Sequence, residues 1–327
     1  MFIKGLYISW LDENYLDKAI SAGIDTFFIN LDDGSGKDKI KALFQKYKSQ
    51  VNLIPTAAYT QPGKRLPENE QFFDGTKYFP STPCPTNPNV IFKLLEFPLE
   101  LYRDSLCNGI AIDFEDYGWI AYPDLVIPYF SQWEEKEWQC KCERCKNLTA
   151  LQQRVENAEL IKDQLGGIPL YHLPIVDSYI WSIGDCWLNE YTYEKWGAWD
   201  RILKNTNRMK DKGITTLNLS GLWLEKFTAK DYLERVEKVC KSSSTDGYWI
   251  YAQMRMSKNC YWRTHPNDPY SIESLKAIPY HSYIDDPNSV DSDANFFEKL
   301  KLINSNIDEY RSGLWFSIKR WFSSKFR

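Results

Sequence analysis

Short apolar strands alternate with amphipathic helical stretches along most of this chain, and that alternation restricts its possible folds more than any single motif does. Ile3–Ser9, Asp25–Leu31, Val51–Ala57, Gly109–Glu115, Ile168–Val176, Ile214–Leu219 and Gly247–Gln253 each read as a strand. Helical patterns separate them at Asn14–Ala22, Lys37–Lys48, Leu148–Leu165, Tyr193–Lys212 and Ala229–Lys241, with a final one at Ala294–Tyr310. In the second of these, Ile40, Leu43, Phe44 and Tyr47 share one face. Near-continuous apolar strands separated by helices form a parallel sheet covered by those helices. Seven units are clear, and an eighth closes a (β/α)8 barrel, for which Ala277–Ile284 is the remaining strand-like piece. A chain of 327 residues is of normal length for one such barrel. A doubly wound sheet is the runner-up. It would carry a glycine-rich phosphate loop after the first strand, where Ser9-Trp10-Leu11-Asp12-Glu13 stands instead. The expectation is an α/β fold, a (β/α)8 TIM barrel over residues 1–312, with long loops after strands three and four at Tyr59–Val90 and Gly118–Asn147.

Four cysteines are spaced like a zinc site. Cys140, Cys142 and Cys145 form C-x-C-x2-C, and Cys84 lies far upstream in Pro83-Cys84-Pro85-Thr86-Asn87-Pro88. A tight trio and one remote thiolate can supply a tetrahedral zinc, with Cys107 the competitor for the remote position. Four thiolates fill the coordination sphere, so the expected ion is structural and ties the two long loops together.

The catalytic candidates lie between the two cysteine elements, in Gly109-Ile110-Ala111-Ile112-Asp113-Phe114-Glu115-Asp116-Tyr117. Residues two apart in a strand face the same side. Asp113 and Glu115 therefore point together into the barrel mouth, while Ile110, Ile112 and Phe114 face the helices. Two close carboxylates repel, which raises one pKa and keeps a proton donor available near neutral pH, as glycosidic bond cleavage requires. Asp32, Asp33, Asp177 and Glu225 stand at expected strand ends as candidates for a second carboxylate. Of these, Asp33 before Gly34 resembles a helix cap, and Asp177 closes strand five. The three histidines, His172, His265 and His281, have no metal-ligand spacing, and no G-x-S-x-G elbow occurs. A core position is the expectation for His172.

Aromatic content is 16%, with 13 Trp and 21 Tyr. Core packing takes most of these rings, and sugar stacking offers a role for Tyr117, Trp119, Trp181, Trp187, Trp223 and Trp249, with Asp32 as a polar contact. A net charge of −4 argues against a nucleic-acid partner for the body. Met1–Gly5 runs straight into a strand with no leader pattern, and the cysteine cluster suits a reducing compartment, so a cytoplasmic protein is expected. In the tail, 313–327, Trp315, Phe316, Ile318, Trp321, Phe322 and Phe326 interleave with Lys319, Arg320, Lys325 and Arg327. That pattern suits a peripheral membrane helix or, as the preferred alternative, a last helix packed on the barrel or a dimer contact.

At these motifs the chain resembles TIM-barrel glycoside hydrolases in two ways. Cys84-Pro85-Thr86-Asn87-Pro88 and Cys140–Cys145 are similar to the zinc-binding elements of the beta-galactosidase-type family 42, a likeness that favours Cys84 over Cys107. That family's acid sits in an Asn-Glu pair, whereas here Phe114 precedes Glu115. Asn108–Glu115 is similar to the strand-four motif D-G-x-D-x-D-x-E of chitinase-like family 18, with Asp113 and Glu115 matching its last Asp and its catalytic Glu. Asn108 and Ala111 replace its first two acids, and Trp249 resembles that family's subsite-flooring tryptophan. The resemblance implies a glycoside hydrolase acting on an oligo- or polysaccharide. The alternative is a non-catalytic carbohydrate-binding barrel.

Overall fold

The computed structural model describes residues 1–8, 11–31, 36–58, 66–113, 139–173, 184–189, 203, 206–207, 209–219, 229–250 and 293–312. The architecture is α/β with a curled parallel sheet. Two compact units divide the chain: Met1–Phe27, Glu190–Asn207 and Thr216–Arg327 form the first, and Phe28–Asn189 with Arg208–Thr215 the second.

In the first unit, β1 (Ile3–Ile8) pairs in parallel with β10 (Gly247–Ile250), and β10 pairs in parallel with β9 (Thr215–Leu219). Gly247 allows this approach, because a Cβ there would stand 2.2 Å from the Ile3 carbonyl oxygen. Helix α1 (Glu13–Ser21) starts where the Asp12 carboxylate accepts the Tyr15 N–H, and it buries Tyr15, Leu16 and Ala19. Helices α5 (Ala229–Cys240) and α6 (Asp293–Ser305) pack against each other. The Tyr248 hydroxyl donates to Asn304 Oδ1 at 2.7 Å, which turns Tyr248 toward α6 and, by strand alternation, Trp249 to the opposite face.

In the second unit the sheet order is β2 (Thr26–Asn30), β3 (Asn52–Ala58), β6 (Ile110–Asp113), β7 (Leu170–Leu173), β8 (Cys186–Asn189). The pairings β3–β6, β6–β7 and β7–β8 are all parallel. Helix α2 (Lys37–Tyr47) buries the four residues expected of it: Ile40, Leu43, Phe44 and Tyr47. Helix α3 (Pro88–Arg103) is capped by Asn87, and α4 (Ala150–Leu165) opens on a Thr149/Gln152 capping box and ends on left-handed Gly166. Ile110 and Ile112 of β6 pack with Ile91, Leu95 and Leu99 of α3 and with Ile161 and Leu165 of α4. Between β3 and α3, a 3-10 turn at Glu68–Glu70 leads into an antiparallel hairpin, β4 (Gln71–Phe73) and β5 (Tyr78–Pro83).

Two expectations change here. The Tyr59–Val90 loop contains that hairpin, and Cys186–Asn189 is a sheet strand that the hydrophobic periodicity does not announce. Four residues following Gly184 and Asp185 are too short a run to stand out. The segment expected to give the eighth strand, Ala277–Ile284, lies outside the described residues, as does the 313–327 tail. Among the described residues, no helix is long and apolar enough to cross a membrane.

His172 is in register with Ile112, on the face turned to the helices, as expected of a core histidine. Burial pushes its pKa from 6.5 down to about 3. The unfolded chain therefore takes up this proton first, and stability from neutral His172 is lost as pH falls below about 6.5 toward 3. His172→Phe is expected to flatten that part of the stability–pH curve in chemical denaturation. A parallel curve would show that the imidazole does not drive it.

Candidate functional site

Two places on the second unit hold chemistry. The first is the C-terminal end of β6. Asp113 is its last residue, in register with Ala58 of β3 and Leu173 of β7. Because Ile110 and Ile112 fill the helix side, alternation turns Asp113 to the opposite face, as the sequence predicts. Its side chain is 6% exposed, a buried carboxylate at a strand end. One layer below, Ala111 pairs with Tyr171, whose ring meets Phe28 edge-on at 5.6 Å. Burial, with the nearby Cys186 and Asp185, pushes the Tyr171 hydroxyl up to about 12. Of the other site residues read from the sequence, Glu115, Asp177, Tyr117, Trp119, Trp223 and Asp32 lie outside the described residues. Trp249, on the first unit, is 1% exposed and sits tilted beside Tyr7 at 6.4 Å between ring centroids.

The second place is the cysteine cluster, which the structure brings together. Cys84 follows β5, and Cys140, Cys142 and Cys145 precede α4. Their four sulfurs all lie within 4.8 Å of one another. Cys84 Sγ is 3.6 Å from Cys142 Sγ and 3.5 Å from Cys145 Sγ. Tetrahedral thiolate zinc, with bonds of about 2.3 Å, has sulfur–sulfur edges of about 3.8 Å, so these separations suit a four-coordinate ion. They are far longer than the roughly 2.05 Å of a disulfide. All four thiols are free. Cys107, also free and buried, stands apart, its pKa pushed up to about 11 by burial.

Hydrogen bonding from Cys140 and Cys145 holds Cys142 and Cys84 below the ordinary thiol range. The same interactions push Cys140 and Cys145 above it. Four acids packed this closely cannot all ionise alone, and a divalent cation removes that penalty. The cluster can hold a metal ion such as zinc.

The surroundings order the loop. The Phe73 N–H of β4 points at Cys140 Sγ at 3.5 Å, and the Lys141 N–H returns to the Phe73 carbonyl at 2.6 Å. Cys142 O accepts the N–H groups of both Cys145 and Lys146. Thr86 Oγ1 lies 3.1 Å from Cys145 Sγ and 3.7 Å from Cys84 Sγ. Thr86, Gln153 and Asn157 belong to this site, and the sequence does not single them out. For Thr86 a signal exists, a hydroxyl two residues after Cys84; for the two amides on α4 there is none.

No family model matches the chain, and no curated protein matches it significantly. Solved structures do. An alpha-L-fucosidase from Paenibacillus thiaminolyticus aligns with 95% of this chain and 50% of its own at 10% identity, TM-score 0.50. A cyclomaltodextrinase aligns over 94% of this chain and 62% of its own, also at 10% identity and TM-score 0.50. The chain thus spans half to three-fifths of those enzymes. At such identity the likeness is one of fold: the fold resembles that of glycoside hydrolases.

Proposed function

We propose that this chain is a glycoside hydrolase, with Glu115 as general acid/base and Asp113 as the carboxylate that orients it or stabilises a substrate-derived intermediate. One observation carries it: Asp113 is a buried carboxylate on the last residue of the fourth sheet strand, on the face away from the helices. In barrels of this class, catalytic side chains come from that end of the strands. The finer fold proposed is the closed (β/α)8 barrel, supported by β2, β3, β6, β7 and β8 of the second unit, parallel neighbours in chain order as repeated βα units are.

Glu115 would protonate the glycosidic oxygen. Asp177 is proposed as the second carboxylate, and its distance from Glu115 would tell retaining (about 5–5.5 Å) from inverting (about 6.5–9.5 Å) chemistry. Trp249, Tyr117, Trp119, Trp223 and Asp32 are proposed to contact the sugar. Trp249 meets a ligand only if the ring now covered beside Tyr7 is uncovered. The metal proposed for Cys84, Cys140, Cys142 and Cys145 is a structural zinc, after the likeness to family 42, and the acid pair follows the likeness to family 18. Thiolates of this kind support a reducing, cytoplasmic location. Contact of the 313–327 tail with a membrane is a separate proposal.

A glycan panel scored for both binding and new reducing ends tests the enzyme. Hydrolysis of at least one bound glycan is the expected result. Binding throughout without a single new reducing end would sink it in favour of a carbohydrate-binding barrel.

A further inference from the structure

We infer that helix α4 presets the four-cysteine cluster, with Gln153 and Asn157 as positioning residues that hold both halves of it in metal-binding geometry; this rests on the metal reading above. The two residues are one helical turn apart and so share a face. Both are amides buried almost completely, at 1% and 4% exposed. Buried amides need hydrogen-bond partners, and both of these reach the cysteine loops.

Gln153 Oε1 accepts the Cys140 N–H at 2.9 Å. Its Nε2 donates to the Cys140 carbonyl at 2.8 Å, the Leu148 carbonyl at 3.2 Å and the Cys145 carbonyl at 3.3 Å. One side chain thus fastens the main chain of the first and last members of the trio. Asn157 Nδ2 donates to the Pro85 carbonyl at 2.7 Å, next to Cys84. The trio and the remote cysteine, 56 or more residues apart in sequence, are therefore fastened to one rigid element.

That element is itself anchored. Its N-terminus is closed by the Thr149/Gln152 box, and Ile161 and Leu165 lie in the core against Ile110 and Ile112. Neither amide is a ligand. Their effect is to order the ligand loops before metal binds, which lowers the ordering cost paid at binding. Partners beyond the coordinating atoms commonly change metal affinity by about 10–100-fold.

The test is a zinc titration of the full chain against a chromophoric chelator, with cobalt(II) absorption as a second reading. The wild type is expected to bind about one ion per chain. Gln153→Met keeps the volume and removes the hydrogen bonds, and Asn157→Leu removes the one to Pro85. Each is expected to keep that stoichiometry, to bind zinc about 10–100-fold more weakly, and to change the thiolate–cobalt absorption. If both bind zinc as tightly as the wild type, the positioning role is overturned even where melting temperatures fall, because an amide that only supports the fold leaves affinity alone. Should Gln153→Met not fold, Gln153→Glu retains the acceptor for the Cys140 N–H, loses the donors, and carries the same comparison. A wild type that binds no zinc would overturn the metal reading itself, which is a different result from wild-type binding matched by both variants.

Discussion

Replacing Glu115 by Gln is expected to lower glycan hydrolysis by about 10²–10⁴-fold while the protein still binds its substrate. Gln keeps the size and one hydrogen-bonding oxygen of Glu but cannot release a proton to a leaving group, so loss should fall on turnover and not on affinity. Asp113→Asn is the companion variant. With Asp113 two residues before Glu115, strand alternation would put a second carboxylate on the same side, which would raise the pKa of the proposed acid, and removing that charge would let it fall. A general acid works only below its own pKa, so the alkaline limb of the rate–pH profile should move to lower pH in Asp113→Asn. A group that merely packs would leave that limb in place. Unchanged turnover in Glu115→Gln at unchanged melting temperature would remove Glu115 from the mechanism.

The two variants differ in how far they stand on structure. Asp113 has a register, a face and a burial; Glu115 has only its position two residues further on. Strand alternation was legible here because β6 is buried on both sides and every second residue is committed to α3 and α4. Ile110 and Ile112 leave Asp113 one direction to point. The same logic read α2 from Ile40, Leu43, Phe44 and Tyr47. It failed where an element is too short to show a period. Cys186–Asn189 has four residues, and β4 has three. It also failed at α3, where Pro98 stands inside an otherwise amphipathic helix and reads as a breaker. The Tyr59–Val90 stretch looked like a plain loop because it is rich in Pro, Gly and Asn. Gly75 marks the turn of a hairpin and Asn87 caps α3, whereas Pro80 and Pro83 lie within β5, the strand that leads to Cys84.

The cysteine cluster shows the opposite balance. Its ligands were legible because thiolates in C-x-C-x2-C spacing have few other uses, yet spacing left the remote ligand open between Cys84 and Cys107. Tertiary structure separates them: Cys84 is delivered by β5 beside the trio, whereas Cys107 follows α3 elsewhere in the core. What holds the loops was invisible, since a Gln and an Asn on a helix are usually solvated side chains and nothing local marks Gln153 and Asn157 as buried. Their role exists only once residues 84–86 and 140–148 are folded against α4.

Removing the metal is expected to cost the second large effect, this time in stability. Metal bound only by the folded state stabilises it by mass action, about 4 kcal/mol when free zinc stands about 1,000-fold above its dissociation constant. In a chain of 327 residues that corresponds to roughly 6 °C in melting temperature. Cys142→Ser is the most informative substitution, because Cys142 is half-buried whereas the other three sulfurs are buried. A serine there is close in size and sits at the edge of the core, so the loss through packing is expected to be small beside the loss through the metal. The variant should lose its zinc, melt about where the chelated wild type melts, and show no further response to chelator. Hydrolysis, if the acid on the fourth strand drives it, should decline only as the loops lose order, since four thiolates leave the ion no position for water or substrate. A chelated wild type that keeps its melting temperature would show that the ion does not hold the fold. Metal-dependent turnover at undiminished stability would mean that the ion acts at the substrate rather than in the scaffold.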